Sequence, residues 1–250
     1  MKFVLPVLSF LAIAYANPDY GQWEAPRAGD SRSPCPALNA MANHKFIPQD
    51  GRGLTTPILI KGLGKGLNIS AEVVAKLSLI GIATSKNPAS GSFDLSDLSA
   101  HNKVEHDGSL SRCDFDMGGD ATRFSPETFN ETLSFLKGAE EVGISEVAAA
   151  RWGRLQSSKA HNPKFTYGEG QYFPSYFESA AYYQLFKDPK TNKASVDWIK
   201  VFFSELDSGV VGCAKLTVLQ ARTACLSRRA GVRLTASMAL RLRRMSCCLR

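Results

Sequence analysis

Cysteine is the most reactive residue type in the body of this chain, and one cysteine occurs where its sulfur would be activated. Cys35 stands between two prolines, and Pro36 suits the first position of a predicted helix. Cys35 then becomes the N-cap, where the helix dipole and the first amides favour negative charge. We expect its thiol to ionise easily and to bind a metal as a thiolate. The alternative is a disulfide bridge to Cys113.

A second segment, residues 105–112 with the sequence EHDGSLSR, concentrates groups that bind hard cations. Carboxylates, an imidazole and hydroxyls lie within a few positions of one another. Oxygen donors of this kind are the ligands that Mg²⁺, Mn²⁺ and Ca²⁺ prefer. The same string also suits a solvated acidic loop, or a helix start with Asp107 as its cap.

A third candidate is Glu178, which lies on a predicted helix over residues 174–186. Apolar and aromatic side chains follow it at i+3, i+4 and i+7, so the carboxylate shares their face. We expect partial desolvation to raise its pKa, which suits a group that takes up and releases a proton. The alternatives are an edge position or a partnership with an arginine. Glu169 is a local competitor, but the glycines on either side of it predict a loop.

Helices must position these residues. Hydrophobic spacing and capping signals predict helices near residues 36–44, 70–84, 125–138, 141–160, 174–186 and 195–206. Strong alternation of apolar and polar residues is absent, so short β-hairpins are the most β structure that we expect. No linker or internal repeat divides the chain. The sequence therefore predicts a single-domain, all-α protein.

Composition and charge restrict the function classes. The chain has 250 residues, of which 44% are hydrophobic and 21% are charged, so disordered, collagen-like and multi-pass membrane proteins are excluded. The net charge of +7 comes from the end of the chain, because nine basic residues and no acidic residue follow Asp207. The rest is mildly acidic. We therefore expect no nucleic-acid partner and no membrane span.

The two ends of the chain differ from its body. Residues 1–16 resemble a secretory signal peptide, which predicts a secreted, extracellular protein with its domain over residues 17–212. Sequons at Asn68 and Asn130 suit a glycoprotein. Residues 213–250 are a basic tail that holds four of the six cysteines. We interpret this tail as the product of a mis-spliced or frame-shifted gene model, and the alternative is a real basic segment that binds anionic surfaces.

Three stretches resemble one known family. Residues 34–55, PCPALNAMANHKFIPQDGRGLT, are similar to the proximal segment of the fungal haem-thiolate peroxidases, which include chloroperoxidase and the unspecific peroxygenases. The string EHDGSLSR resembles the Glu-His-Asp signature of chloroperoxidase and the short peroxygenases. Residues 162–186 resemble the stretch that carries the catalytic glutamate. Long peroxygenases have an arginine one or two turns before that glutamate, where this chain has Gln171 and Ser175.

This resemblance implies a chloroperoxidase-like helical fold around one haem b. Cys35 would be the axial ligand of the iron, and Glu178 would be the catalytic glutamate. The implied function is a secreted peroxygenase or peroxidase that uses hydrogen peroxide to oxygenate or oxidise small apolar or aromatic substrates through a ferryl intermediate. The alternative is a degenerate member of the family, or a haem-free secreted protein that binds a cation without catalysis.

The resemblance also implies roles for the segment over residues 105–112. Glu105, Ser109 and the carbonyl of His106 would bind a divalent cation, Mg²⁺, Mn²⁺ or Ca²⁺, beside a haem propionate. The imidazole of His106 would face the distal pocket, where Asp107 orients it. His106 and Asp107 would thus assist Glu178 in catalysis. The sequence carries no signal for an oligomeric state.

Overall fold

The structure, a computed structural model, describes residues 22–118 and 120–205. The predicted signal peptide, the predicted start of the mature chain at Asn17 and the basic tail over residues 213–250 lie outside the described residues. The two cysteines of the predicted haem domain that the structure describes are Cys35 and Cys113, and both are free thiols. The disulfide alternative for Cys35 is therefore not formed.

Helices dominate the described residues, and the predicted all-α class is confirmed. The α-helices are α1 (Pro36–Asn43), α2 (Thr56–Leu67), α3 (Ala71–Thr84), α4 (Pro126–Ser134), α5 (Ile144–His161), α6 (Glu169–Phe186) and α7 (Val196–Lys200). A π-helical turn (Val201–Glu205) continues α7. Short 3-10 turns lie at Pro88–Ser90, Leu95–Ser99 and Phe115–Met117. Among the described helices, none is long and apolar enough to cross a membrane.

Two short antiparallel strand pairs tie the helices together. Strand β1 (Leu54–Thr55) pairs with β2 (Ser92–Phe93), and β3 (Glu141–Val142) pairs with β4 (Ala194–Ser195). Each pair joins segments that are far apart in the sequence. Strands β1 and β4 lead directly into α2 and α7, and β3 ends two residues before α5 begins. The strands therefore set where these three helices begin.

The prediction missed helix α2, since its glycines lower the helical propensity of the segment. The structure shows what those glycines allow. A Cβ at Gly62 would lie 2.5 Å from the carbonyl oxygen of Phe46, and one at Gly66 would lie 2.5 Å from the sulfur of Met41. Helix α2 can therefore pack closely on α1 and on the loop after it. This contact supports the helix that carries Cys35.

Helix α6 also begins earlier than predicted. It starts at Glu169 instead of residue 174, so Glu169 lies in the first helical turn and the predicted loop is wrong. Gln171 closes this end, because its Oε1 accepts a hydrogen bond of 2.9 Å from the amide of Gly168. Pro174 is tolerated inside the helix. Helix α6 packs against α5, which also packs against α4.

Candidate functional site

The loop before α1 holds Cys35 at the N-cap of that helix, and Pro36 opens the helix as predicted. A buried amide pairs with the main chain of this loop. Asn39 accepts a hydrogen bond of 2.9 Å from the amide of Ser33 and donates one of 2.9 Å to its carbonyl. Ser33 Oγ in turn accepts a hydrogen bond of 3.2 Å from the amide of Cys35. The position of the sulfur is therefore set by a side chain one turn further along the helix.

The pKa of the Cys35 thiol is raised, so the prediction of easy ionisation is wrong for the protein without a bound cation. Burial raises this pKa more than the amides of Leu38 and Ala37 lower it. The negative charge of Glu178 raises the pKa further, and the positive charge of Arg112 lowers it.

Glu178 lies between the side chains of His106 and Arg151. Its Oε2 is 3.8 Å from Nε2 of His106 and 3.3 Å from Nη2 of Arg151. The pKa of Glu178 is lowered, which contradicts the raised value predicted from the sequence. Desolvation raises it, but the hydrogen bond and charge of His106, with the charges of Arg151 and Arg112, lower it by more. The carboxylate is therefore ionised and able to accept a proton near neutrality.

The Glu178 side chain is half-exposed, although its carboxyl group is desolvated. The side chain is 52% exposed, yet enough protein surrounds its carboxyl group for desolvation to be the largest single influence on its pKa. Cys35 is likewise partly exposed and desolvated. The Glu178 charge also acts on the Cys35 sulfur, so the two residues lie close enough to interact electrostatically.

His106 is oriented by its neighbour, although not by the group expected. Its Nδ1 lies 2.8 Å from the main-chain carbonyl oxygen of Asp107. A carbonyl only accepts, so Nδ1 carries a proton, and Nε2 is the nitrogen that faces Glu178. The Asp107 carboxylate instead accepts hydrogen bonds from the amides of Phe115 (3.3 Å) and Thr166 (2.9 Å). It fixes the loop rather than the imidazole.

Arg151 is a site residue that the sequence analysis missed. It lies on α5, is 0% exposed, and has hydrogen bonds to the carbonyl of Gly108 and to Ser179 as well as its contact with Glu178. The sequence does contain a signal that identifies Arg151 as a candidate. Arg151 and Arg154 occur at helical spacing from Val147 and so share a face with an apolar residue. A charged residue on such a face must find buried partners.

The predicted cation ligands lie in one loop, where each already has partners. The Glu105 carboxylate is 2.6 Å from Nδ1 of His101, and burial raises its pKa. Ser109 Oγ accepts hydrogen bonds from the amides of Arg112 (3.2 Å) and Ser111 (3.4 Å). The described residues contain no group of three or more His, Cys, Asp or Glu side chains arranged to hold a metal ion. The divalent cation therefore stays a prediction.

The side chains of Cys35, Glu178 and His106 fit the requirements of a haem site. A cysteine thiolate is an established axial ligand of haem iron. The raised pKa of Cys35 also agrees with a cationic partner, because a coordinating metal supplies the positive charge that keeps a buried thiol deprotonated. The carboxylate and imidazole of Glu178 and His106 supply the acid-base groups.

Known peroxidases and peroxygenases match this chain in sequence. The family described as Peroxidase, family 2, matches residues 21–212. An aromatic peroxygenase of Cyclocybe aegerita is 28% identical over 210 residues, which cover 72% of this chain and 53% of that protein. An aromatic peroxygenase of Coprinellus radians is 30% identical over 191 residues, covering 66% and 70% of the two chains. A chloroperoxidase of Leptoxyphium fumago is 32% identical over 143 residues, covering 52% and 38%.

These comparisons confirm the resemblance stated from the sequence. They also set its extent, because this chain spans about half the length of the Cyclocybe aegerita relative, 53%, and less of the chloroperoxidase, 38%.

Proposed function

Because this chain belongs to the family described as Peroxidase, family 2, we propose that it is a haem-thiolate peroxygenase or peroxidase. Hydrogen peroxide is the oxidant, and small apolar or aromatic molecules are the substrates. One observation carries the proposal, which is that Glu178, in contact with His106 and Arg151, lies close enough to Cys35 for its charge to act on the sulfur. Membership of the family implies a haem cofactor, and Cys35 is the residue that would bind its iron.

Bound haem supplies the iron at which the O–O bond of hydrogen peroxide is cleaved, and thiolate ligation favours that cleavage. The protein's own residues transfer the proton. Glu178 is ionised, and its Oε1 has no hydrogen-bond or ion-pair partner among the described residues. Oε1 therefore accepts the proton of one peroxide oxygen and returns it to the other, which leaves as water.

His106 and Arg151 keep the charge of Glu178 in place during this transfer. Both contact Oε2, the oxygen that does not carry the moving proton. Since Nδ1 of His106 is bound to the carbonyl of Asp107, only Nε2 can exchange a proton within the site. The loop of residues 105–112 thus serves the acid-base chemistry through His106 and its neighbour. A divalent cation bound by Glu105 and Ser109 would add an anchor for the edge of the haem.

The location of the protein is also a proposal. The signal-like segment over residues 1–16 supports secretion, and the sequons at Asn68 and Asn130 support glycosylation. Expression in a secreting host, followed by N-terminal sequencing of the exported protein, tests the first point. A mature chain that begins near Asn17 is expected.

The test of the proposed function compares the two cysteines that the structure describes in the domain. Wild-type protein and Cys35→Ala are supplied with haem, and Cys113→Ala is the matched control because it removes the other free thiol. We expect the reduced, CO-treated wild type and Cys113→Ala to show the red-shifted Soret band of thiolate-bound iron. Cys35→Ala is expected to lose it. The proposal is refuted if the wild-type protein stays colourless, or if Cys35→Ala keeps the same band.

A further inference from the structure

We propose that Arg151 is a positioning residue for Glu178, so that a guanidinium from α5 sets the geometry of the proton-transferring carboxylate on α6. This inference rests on the proposed function, because it concerns the same carboxylate. Helix α6 itself has Gln171 and Ser175 in the two turns before Glu178 and no arginine there. The cation that reaches Glu178 comes instead from a residue 27 positions earlier in the chain.

The geometry of the guanidinium carries the inference. Its Nε donates to Ser179 Oγ at 3.1 Å, its Nη1 donates to the carbonyl of Gly108 at 2.8 Å, and its Nη2 donates to Glu178 Oε2 at 3.3 Å. These three donors belong to one rigid plane. Gly108 lies in the loop that also carries His106. Arg151 therefore ties the loop that carries the imidazole to the helix that carries the carboxylate.

Burial makes this plane a fixed reference. Arg151 is 0% exposed, whereas the side chain of Glu178 is 52% exposed. A half-exposed glutamate samples several rotamers unless a partner selects one of them. A buried guanidinium moves little, because leaving its partners would strand a charge inside the protein. The buried guanidinium of Arg151 therefore selects the position of the half-exposed Glu178 carboxylate.

Arg154 is the control that separates a positioning role of Arg151 from a purely structural one. Arg154 lies one turn further along α5, is 5% exposed, and donates to the same loop through the carbonyl of Ser109 at 3.0 Å. Its other partners are Glu131, at 2.5 Å, and Asp114, at 4.0 Å. Arg154 thus resembles Arg151 in burial, in helix and in loop contact, but it has no contact with Glu178 among the described residues.

The experiment uses haem-loaded, full-length protein with Arg151→Gln, Arg151→Lys and the matched Arg154→Gln and Arg154→Lys. Peroxide turnover is measured with a small phenol as the second substrate, together with the unfolding midpoint and the Soret band of each variant. In a two-step cycle, kcat/KM for peroxide reports the step that Glu178 serves, and kcat/KM for the phenol reports the later step. A loss of folded enzyme lowers both values equally.

We expect Arg151→Gln to lower kcat/KM for peroxide by roughly 10- to 100-fold, the loss that misplacing a catalytic group produces. The value for the phenol is expected to stay within about twofold of wild type, within the ordinary context-dependence of such effects. Arg151→Lys retains the charge but not the three-donor plane, so it should fall between wild type and Arg151→Gln. The Arg154 variants should lower the unfolding midpoint without separating the two kinetic values.

Two outcomes would overturn the inference. One is that Arg151→Gln lowers both kinetic values equally, as Arg154→Gln would. The other applies if Arg151→Gln does not fold. In that case equal kcat/KM values for peroxide in Arg151→Lys and Arg154→Lys refute the positioning role of Arg151. Glu178→Gln separates this result from a failure of the proposed function. Wild-type peroxide kinetics in Glu178→Gln would remove the assigned acid itself, whatever the Arg151 variants do.

Discussion

Asn39→Ala is expected to loosen the loop that holds Cys35, and the structure sets the size of the effect. The substitution leaves the amide and the carbonyl of Ser33 without their partner, and both residues are buried, at 2% and 0% exposed. Each stranded group costs about 1–3 kcal/mol, and water that enters the space left by the side chain recovers part of that. We therefore expect a total loss of about 2–4 kcal/mol.

The assay is thermal and denaturant unfolding of the haem-loaded protein, with the Soret band recorded at each point. For a chain of this size a loss of 2–4 kcal/mol corresponds to a fall in midpoint of roughly 5–15 °C. Asn43→Ala is the matched control, because Asn43 lies on the same helix and is 3% exposed. Its amide oxygen accepts from Arg32, which also donates to the carbonyl of Ser31. The control should lose about 1 kcal/mol.

The reasoning fails if the two alanine variants lose the same stability. Equal losses would mean that the cost arises from removing a buried amide anywhere on α1, and not from stranding the main chain before Cys35. A second check is the thiolate band, which should weaken at a lower temperature than in Asn43→Ala.

Three further outcomes follow from the site and its supports. Because the pKa of Glu178 is lowered, its carboxylate form is lost only as pH falls through that lowered value. Peroxide turnover should therefore persist below the ordinary glutamate range. The fall of turnover at still lower pH should be absent from the residual activity of Glu178→Gln. Gly108→Ala should cost about 2–4 kcal/mol in unfolding experiments, since its φ is +74° and a Cβ would lie 2.6 Å from a leucine of α5. Gly118→Ala, with φ +76° and open space, should cost only about 1 kcal/mol, and equal losses would contradict the clash. Gly62→Ala should destabilise the protein, because its Cβ would lie 2.5 Å from the main-chain oxygen of Phe46. Gly64→Ala should stabilise it by up to about 1 kcal/mol, because its Cβ would lie at an ordinary 3.7 Å from the oxygen of Ile69. The same sign for both would refute the close packing of α2.

Local features of the chain were predicted well. Pro36 opens α1 and leaves Cys35 at its N-cap, as the Pro-Cys-Pro pattern indicates. Ser70 and Ser125 cap α3 and α4 through their side chains, in agreement with predicted starts at residues 70 and 125. Such features depend on a few neighbouring residues, so the sequence contains the information needed.

Two helix boundaries were predicted poorly, for different reasons. Helix α2 was missed because its glycines lower local propensity, and packing against Phe46 and Met41 overrides that preference. For helix α6 the sequence predicts a start at residue 174, where the helical spacing begins with a proline. The helix instead begins at Glu169, and the side chain of Gln171 caps this earlier start. In both cases a contact outside the local pattern decided the outcome.

The two pKa predictions failed for a related reason. A helical face predicts desolvation of Glu178, but it carries no information about the cations that approach from α5 and from the loop of residues 105–112. A helix N-terminus likewise predicts a lowered pKa for Cys35, and burial reverses that direction. Both values are sums over neighbours that chain folding brings together.

The amino-acid sequence alone determined the helical class, the placement of Cys35 at a helix start, the family of the protein and the identity of Glu178 and His106 as candidates. The tertiary structure alone decided that His106 and Arg151 meet at one oxygen of Glu178, and that the charge of this carboxylate acts on the Cys35 sulfur. The difference is physical. Capping and helical periodicity act over a few residues, whereas hydrogen bonds and charge interactions depend on distances that only the folded chain defines.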